Sequence, residues 1–88
     1  MSQRRYTVVI TKTVQKLLSK LPDRTASKLE AAMLSLENNP RPNGCKKLKG
    51  REAYRIREGD YRIIYEIEDN ILHVLVIDVG HRRDIYKL

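Results

Sequence analysis

The residues of this sequence that could do chemistry are mostly cations. Arg55, Arg57 and Arg62 lie close together in the second half of the chain. The last ten residues, "VGHRRDIYKL", supply His81, Arg82, Arg83 and Tyr86. Guanidinium groups bind phosphate through paired hydrogen bonds and stack on bases, and histidine titrates near neutral pH. These residue types therefore predict a site for a nucleic-acid backbone.

RNA cleavage suits this set of residues better than DNA cleavage. RNA carries its own nucleophile in the 2′-hydroxyl, so the protein must supply orientation, proton transfer and cations that stabilise charge on phosphate. DNA hydrolysis commonly uses metal ions held by carboxylates, and no obvious pair of catalytic carboxylates is present in the sequence. We therefore predict chemistry without a metal or another cofactor.

The charge of the chain is concentrated in one patch. The 88 residues carry a formal net charge of +7, which favours a polyanionic partner. Between residues 41 and 57 a lone acid, Glu52, stands among seven cations: Arg41, Lys46, Lys47, Lys49, Arg51, Arg55 and Arg57. Four of these are predicted to bind RNA together with Arg83, namely Lys46, Lys47, Lys49 and Arg51.

The bulk composition limits the class of protein. The length predicts a single domain over residues 1–88. The single Cys45 excludes an internal disulfide and, with only two histidines, argues against a zinc site. No apolar run approaches the length of a membrane span, so we expect a cytoplasmic protein without a membrane partner.

The first half of the chain predicts a strand and two helices. Residues 5–10, "RYTVVI", have the β-branched content of a strand. Residues 11–22 predict an amphipathic helix, with Thr11 or Thr13 as its cap and Pro22 at its end. The next residues predict a second helix that ends at Asn38 and Asn39, before Pro40, and has one apolar face made of Ala26, Leu29, Met33 and Leu36. So short a connection makes the helices an antiparallel hairpin.

Two turns set the expected strand pairing in the second half. Gly59 and Asp60 predict a two-residue hairpin loop, and Asp69 and Asn70 predict a second tight turn. The first pairs Arg57 with Arg62, Arg55 with Ile64, Ile56 with Ile63 and Tyr54 with Tyr65. The second pairs Ile63 with Val76, Tyr65 with Val74, Ile67 with Leu72, Arg62 with Ile77, Glu66 with His73 and Tyr61 with Asp78.

These registers predict an apolar face and an arginine face. The predicted core face consists of Tyr54, Ile56, Ile63, Tyr65, Ile67, Leu72, Val74 and Val76. The other face carries Arg55, Arg57 and Arg62, with Gly80 expected to turn the chain so that His81 and the residues after it reach them. The predicted fold is α+β in the order β-α-α-β-β-β, an antiparallel sheet with a helical hairpin packed on one face.

Structural explanations compete with functional ones at several positions. The arginine face could be only a solvated sheet surface. His73 opposite Glu66 favours a cross-strand structural pair over a catalyst, and Cys45 favours an incidental thiol. For His81 the two explanations stay open, because it lies beside Gly80 among polar residues and off any apolar face.

Two segments, "YRIREGDYRIIYE" and "VGHRRDIY", resemble the RelE/ParE superfamily of bacterial and archaeal toxins, specifically its RelE branch. The similarity extends over essentially the whole chain. It implies a toxin of a toxin-antitoxin pair, held inactive by a RelB-like antitoxin protein. It also implies that the toxin enters the ribosomal A site, against the ribosomal RNA, and cuts mRNA there to leave a 2′,3′-cyclic phosphate and a 5′-hydroxyl.

The resemblance also implies roles for individual residues. Arg55 and Arg57 match basic strand residues that bind phosphate and help to take the 2′-hydroxyl proton, and Arg62 matches the arginine that stabilises the transition state. In the tail, Arg82 or Arg83 matches the cation near the leaving 5′-oxygen, and Tyr86 a tyrosine that stacks on a base. His81 and Lys49 fit the surrounding basic positions. Arginine stands here where the family has lysine at two strand positions, and it is very hard to deprotonate. We therefore assign part of the proton transfer to His81.

Two other functions are alternatives. The ParE branch shares the fold but inhibits DNA gyrase and cleaves no RNA. A non-catalytic RNA-binding domain is the second, although the double-stranded RNA-binding fold has the order α-β-β-β-α, which the initial strand and helix hairpin do not fit. In such a domain, Tyr86→Phe and Arg82→Ala would weaken binding in a salt-dependent way and abolish no chemistry.

Overall fold

One mixed sheet and two helices make up the described part of the chain. The computed structural model describes residues 5–50 and 52–81. The strands are β1 (Thr7–Ile10), β2 (Lys46–Lys47), β3 (Ala53–Glu58), β4 (Tyr61–Glu68) and β5 (His73–His81). The helices α1 (Lys12–Ser19) and α2 (Asp23–Leu34) follow β1, and 3₁₀ turns span Ser35–Glu37 and Asp69–Ile71. The α+β fold with a helical hairpin on a sheet is confirmed.

Helix α1 begins at one of the two threonines that the sequence proposes. The hydroxyl of Thr11 accepts a hydrogen bond from the backbone N–H of Val14 at 3.3 Å, so Thr11 is the cap. The helix buries Val14 and Leu18 against the sheet. The three residues between α1 and α2 then reverse the chain and keep both helices on the same face.

Helix α2 and the 3₁₀ turn after it supply the other side of the core. Leu29, Met33 and Leu36 are buried, as their spacing predicts, and they pack with the sheet residues Ile63 and Tyr65. The hydroxyl of buried Tyr65 donates a hydrogen bond to the carbonyl oxygen of Pro40 at 2.7 Å. This bond satisfies the polar end of the ring and attaches the loop after α2 to the sheet.

The sheet differs from the prediction at both of its edges. Its strand order is β1-β5-β4-β3-β2, and β1 runs parallel to β5, so the sheet is not wholly antiparallel. The two helices make the long connection that a return to the far edge requires. The segment expected to be a loop contains β2, whose Lys46 and Lys47 pair with Arg55 and Tyr54 of β3.

The first hairpin has the predicted register. Arg57 lies opposite Arg62, and Arg55 lies opposite Ile64. Gly59 adopts a φ of +60°, which glycine tolerates without the cost that a Cβ would bring. The local turn signal was therefore sufficient to set this pairing.

The predicted register of the second hairpin is wrong. The turn is longer than two residues because a 3₁₀ turn over Asp69–Ile71 is followed by Leu72 in the left-handed region, with φ at 53°. Tyr65 consequently pairs with Val76, and Ile67 pairs with Val74. The shift is two positions, so the side chains keep their predicted faces near the turn, while Leu72 leaves the core set.

A β-bulge changes the register once more along β5. The pairing shifts between Ile64 and Tyr65, where Ile77 is the extra residue on β5. Beyond it, Ile63 lies opposite Val79, which is 5% exposed and joins the core. Asp78 therefore pairs with Ile64, and not with Tyr61 as predicted.

Gly80 and His81 are also placed differently from the prediction. Gly80 does not turn the chain, since it lies inside β5 opposite Arg62. The strand continues to His81, which takes the position opposite Tyr61. The ladder between β4 and β5 is thus regular on both sides of the bulge, and it leaves no room for a turn at Gly80.

Candidate nucleic-acid interface

The three predicted arginines share the sheet face that points away from the helices. Arg55 and Arg57 are alternate residues of β3, and Arg62 lies on β4 directly opposite Arg57. Strand neighbours Ile56 and Ile63 are buried on the helix side, so alternation directs the arginines to the other side. We define the surface formed by Arg55, Arg57 and Arg62 as the arginine face.

The three arginines differ in burial. Arg62 is 2% exposed, and its Nε and Nη1 atoms are shielded from solvent. Arg55 is half-buried and Arg57 is exposed. Ile64, 6% exposed, lies on the same face beside Arg62 and opposite Arg55. The face therefore combines a shielded guanidinium, an apolar floor and an accessible guanidinium.

The predicted RNA-binding lysines Lys46, Lys47 and Lys49 do not all lie on the arginine face. Lys46 pairs with Arg55 and extends the arginine face toward the sheet edge. Lys47 pairs with Tyr54 instead, and its Nζ lies 3.4 Å from Oε2 of Glu52. Lys49 is exposed in the turn that follows β2. Of the three, Lys46 has the position best suited to act with the arginines.

His81 is not brought together with the arginines. Its ring lies edge-on to the ring of Tyr61, with the centroids 5.5 Å apart and an interplanar angle of 79°. Tyr61 packs against the core, so this pair belongs to the helix side of the sheet, whereas Arg62 belongs to the other side. The predicted residues Arg51, Arg82, Arg83 and Tyr86 lie outside the described residues.

The structure adds a carboxylate that the sequence interpretation missed. Beyond the bulge, Asp78 pairs with Ile64 and so lies on the arginine face, and its Oδ1 accepts a hydrogen bond from the N–H of Val79 at 2.8 Å. The available signal was the change from Val74 and Val76, two apart, to Val79, three further on.

The proposed pairing of His73 with Glu66 is wrong for the same reason that the second register is wrong. His73 lies opposite Glu68, and Glu66 lies opposite Leu75. Both glutamates share the face of the arginines but lie toward the opposite end of β4, nearer the β4–β5 turn. Glu66, opposite Ala53, is a diagonal neighbour of Arg55, whereas Glu68 lies farther from the arginines along β4.

One cation of the basic patch serves the fold. Arg41 makes two hydrogen bonds to the carboxylate of Asp69, at 3.2 and 2.9 Å, and lies over the ring of Tyr54. The hydroxyl of Tyr6 donates to the same carboxylate at 2.7 Å. Hydrogen bonds from Arg41 and then Tyr6 lower the pKa of Asp69, and the bond to Asp69 raises the pKa of Tyr6. We define Tyr6, Arg41 and Asp69 as the carboxylate clamp.

The described residues offer little for a metal ion. Within residues 5–50 and 52–81, no three side chains of His, Cys, Asp or Glu are grouped closely enough to hold one.

Neither α1 nor α2, the helices of the described part, has the length and apolar character to cross a membrane.

Comparison with protein families gives one match over most of the chain. The family model described as the ParE toxin of the type II toxin-antitoxin system parDE matches residues 8–86. Toxin RelG of Mycobacterium tuberculosis is 39% identical over 85 residues, covering 93% of this chain and 97% of that protein. The putative toxin RelE1 of Methanocaldococcus jannaschii is 33% identical over 89 residues, covering 94% and 97%.

Solved structures with the same fold include toxin-antitoxin complexes. The RelBE2 complex of Mycobacterium tuberculosis contains a chain with a TM-score of 0.81 and 30% identity, covering 92% of this chain and 95% of that one. The archaeal RelE-RelB complex of Pyrococcus horikoshii gives 0.79 and 31%, covering 89% and 96%. The family match and these relatives together show that the chain belongs to the RelE/ParE superfamily, as a toxin of the type II toxin-antitoxin class.

Proposed function

We propose that this toxin is a metal-independent endoribonuclease that cleaves mRNA in the ribosomal A site and thereby inhibits translation. The observation that carries the proposal is the arginine face, where Arg57 and Arg62 lie directly opposite each other on neighbouring strands. Like charges in that position destabilise a sheet, and a bound phosphate would relieve the repulsion. The similarity to RelE and RelG toxins supports the same activity.

Each arginine has a position that fits a separate task on phosphate. The shielded Arg62 is suited to stabilise charge that develops on the scissile phosphate, because a desolvated guanidinium acts more strongly than a hydrated one. The exposed Arg57 and the half-buried Arg55 are suited to bind and orient the backbone. Lys46 would add a contact at the edge, with Lys47, Lys49, Arg51 and Arg83 as further RNA-binding cations.

The carboxyl-terminal residues complete the proposal. Arg82 would stabilise the leaving 5′-oxygen, and Tyr86 would stack on and orient a base, as the family resemblance implies. A share of the proton transfer by His81 stays a prediction, since its ring packs with Tyr61 on the helix side of the sheet. A proton acceptor on the arginine face is therefore the missing part of the mechanism.

We also propose a RelB-like antitoxin as the partner that keeps this toxin inactive. The support comes from the matching structures, which include RelB-RelE complexes from Pyrococcus horikoshii and Methanococcus jannaschii. The basic surface is consistent with an antitoxin segment that carries acidic residues, because opposite charges speed association and set its orientation. The ribosome and the mRNA are the other partners of the proposal.

The test is cleavage on programmed ribosomes. The purified toxin is incubated with ribosomes that carry a defined A-site codon, and the mRNA ends are mapped. We expect a cut inside that codon with a 5′-hydroxyl product, reduced by about a hundredfold or more in Arg62→Ala and in Tyr86→Ala. Arg24→Ala is the matched control, since Arg24 is an exposed arginine on α2, and α2 packs on the other side of the sheet from the arginine face. Circular dichroism of each variant establishes that it is folded.

A different outcome would point to another function. The matching family model carries the ParE name, which supports the alternative of a gyrase inhibitor. Intact mRNA together with inhibition of DNA supercoiling by gyrase would favour that alternative. Intact mRNA with salt-dependent RNA binding, and no effect on gyrase, would instead indicate a non-catalytic RNA-binding domain.

A further inference from the structure

The β-bulge in β5 brings a carboxylate to the arginine face. Between the core residues Val76 and Val79 stand two residues, Ile77 and Asp78, where regular alternation allows one. Without the extra residue, Asp78 would point toward the helices and a core position would hold a charge. Bulges often re-aim a side chain beside a functional site, and here the re-aimed side chain is that of Asp78.

The surroundings of Asp78 are those of the proposed phosphate site. Asp78 and Arg55 flank Ile64 on its two sides, so about 10 Å separates their backbones, twice the spacing of neighbouring strands. Arg62 is the diagonal neighbour of Asp78, at roughly 7–8 Å between backbones, a distance that long side chains span. A phosphate seated over Ile64 would thus lie between guanidinium groups and one carboxylate.

The carboxylate of Asp78 is oriented by the backbone. Its Oδ1 accepts the N–H of Val79 at 2.8 Å, which holds the side chain in one rotamer and leaves Oδ2 to act on a ligand. Glu66 and Glu68 lie on the same face but nearer the other end of β4. Glu58 pairs with Tyr61 on the helix side. Among the carboxylates that β4 and β5 place on this face, Asp78 is therefore the diagonal neighbour of Arg62, whereas Glu66, opposite Ala53, is the diagonal neighbour of Arg55.

We propose that Asp78 is the proton acceptor for the 2′-hydroxyl of the RNA, an assignment that rests on the proposed function. Oδ2 takes the hydroxyl proton as the 2′-oxygen attacks phosphorus and forms the new O–P bond. The P–O5′ bond breaks, the 5′-oxygen takes a proton from water to become the 5′-hydroxyl, and Asp78 returns its proton to solvent. Arginine cannot take this role because it holds its proton too tightly.

The test separates binding from chemistry in an isosteric variant. Asp78→Asn keeps the oxygen that accepts the hydrogen bond from the N–H of Val79, so this local contact is preserved, but it removes the basic carboxylate oxygen. We expect single-turnover cleavage on programmed ribosomes to be about a hundredfold slower, in the usual range for loss of a general base. Binding of a single-stranded RNA should be unchanged or tighter, because a negative charge leaves a basic face. A variant that was merely misfolded would lose both.

Two further variants test the effect of losing another carboxylate and the effect of a longer side chain at position 78. Glu68→Gln removes a carboxylate from the same face at the end of β4 away from the arginines, and its cleavage rate should stay within about twofold of the parent. Asp78→Glu restores the carboxylate on a longer arm and should recover part of the rate. His81→Gln is measured beside them.

The outcomes distinguish this assignment from the function on which it rests. If the parent cleaves and Asp78→Asn cleaves equally fast, or if only His81→Gln loses activity, the assignment is wrong while the ribonuclease function stands. If the parent itself leaves programmed mRNA intact, the ribonuclease function is wrong and the role of Asp78 is overturned with it. Slow cleavage in Asp78→Asn with retained RNA binding supports the role.

Discussion

At the scale of single residues, Arg57 and Arg62 form a like-charge pair that lowers the stability of the sheet. They lie directly opposite each other on antiparallel strands, and Arg62 is 2% exposed. Sequence rules for sheets disfavour such a pair. A protein tolerates local conflicts of this kind mainly where a ligand completes the arrangement. The pair is consistent with the anionic ligand of the proposed function.

Replacement of Arg57 should raise the stability of the protein and lower its affinity for RNA. We expect Arg57→Ala to raise the free energy of unfolding by a few tenths of a kcal/mol, because a like charge opposite Arg62 is removed. Affinity for single-stranded RNA should fall, and the slope of log K against log salt should decrease by about 0.7, the value for one lost phosphate contact. Urea denaturation and salt-dependent binding titrations measure the two effects.

Arg24→Ala is the comparison for this variant. Arg24 is an exposed arginine on α2, so its removal changes the net charge equally without touching the arginine face. An equal loss of salt slope in both variants would mean that only the total charge matters. The assignment of a phosphate contact to Arg57 would then be wrong.

At the scale of the secondary-structure elements, the start of α1 depends on one hydroxyl. Thr11 accepts from Val14, while Thr13 is exposed within the helix. We expect Thr11→Ala to lower the free energy of unfolding by about 1 kcal/mol through loss of the cap. Thr13→Ala should be neutral or slightly stabilising, because alanine is the better helix former. Equal effects of the two variants in thermal denaturation would contradict the capping assignment.

The carboxylate clamp joins the start of β1, the loop after α2 and the β4–β5 turn. The pKa of Asp69 is lowered by Arg41 and then by Tyr6, so the native state binds the proton less readily than the unfolded state. The contribution to stability is complete above the unfolded pKa of about 3.9 and is lost as the pH falls through the lower native pKa. We expect the parent to exceed Asp69→Asn in stability by a constant amount between about pH 5 and pH 9, and by less below pH 4.

In the stability difference between the parent and Asp69→Asn, the alkaline limb of the pH dependence belongs to Tyr6, since the pKa of Tyr65, raised by burial, affects both proteins alike. The pKa of Tyr6 is raised chiefly by the hydrogen bond to Asp69, so its contribution is complete below the unfolded value of about 10 and is lost as the pH rises further. Tyr6→Phe should remove this alkaline limb and keep the acid limb that Arg41 maintains. Urea denaturation from pH 2.5 to 11 measures both. A parent stability parallel to that of Asp69→Asn at every pH would contradict the clamp.

At the scale of the whole molecule, one core between the helix layer and the sheet supports the site. The arginine face is the outer surface of strands whose inner surface packs on α1 and α2 through Ile56, Ile63 and Val79. The helices pack on the opposite face of the strands that carry the arginines and so hold those strands in place. Positions on strands of a packed sheet keep functional groups in place better than loops do.

The helix layer provides a matched pair of leucines to test this dependence. Leu29 is 1% exposed and Leu34 is 46% exposed, and both lie on α2. Leu29→Ala should lower the free energy of unfolding by about 2–5 kcal/mol, and Leu34→Ala should change it by no more than about 0.5 kcal/mol. Denaturant unfolding curves give both values. Similar losses in the two variants would show that α2 is packed differently.

Local patterns predicted those parts of the structure that local physics decides. The spacing of Leu29, Met33 and Leu36 predicted the buried side of α2, and Gly59 with Asp60 predicted the first hairpin. Prediction of β2 and of the parallel pairing of β1 failed, because two-residue strands and edge positions depend on which distant strand is available.

The sequence by itself determined which charged residues this toxin carries and how they are spaced along its strands. It specified a basic surface, arginines opposite each other across a hairpin, and an amphipathic helix pair to cover the other side of the sheet. Each of these follows from residue types and from spacing within one or two elements, where side-chain periodicity is set by the backbone alone.

Only the tertiary structure decided which side chains share a face beyond the bulge. One extra residue in β5 moves Val79 into the core, Asp78 to the arginines and His81 to Tyr61. Because the period of a strand is two, a single inserted residue exchanges the faces of everything after it. Its position depends on packing against β4 and the helices. For this reason the sequence pointed to His81, whereas the fold points to Asp78.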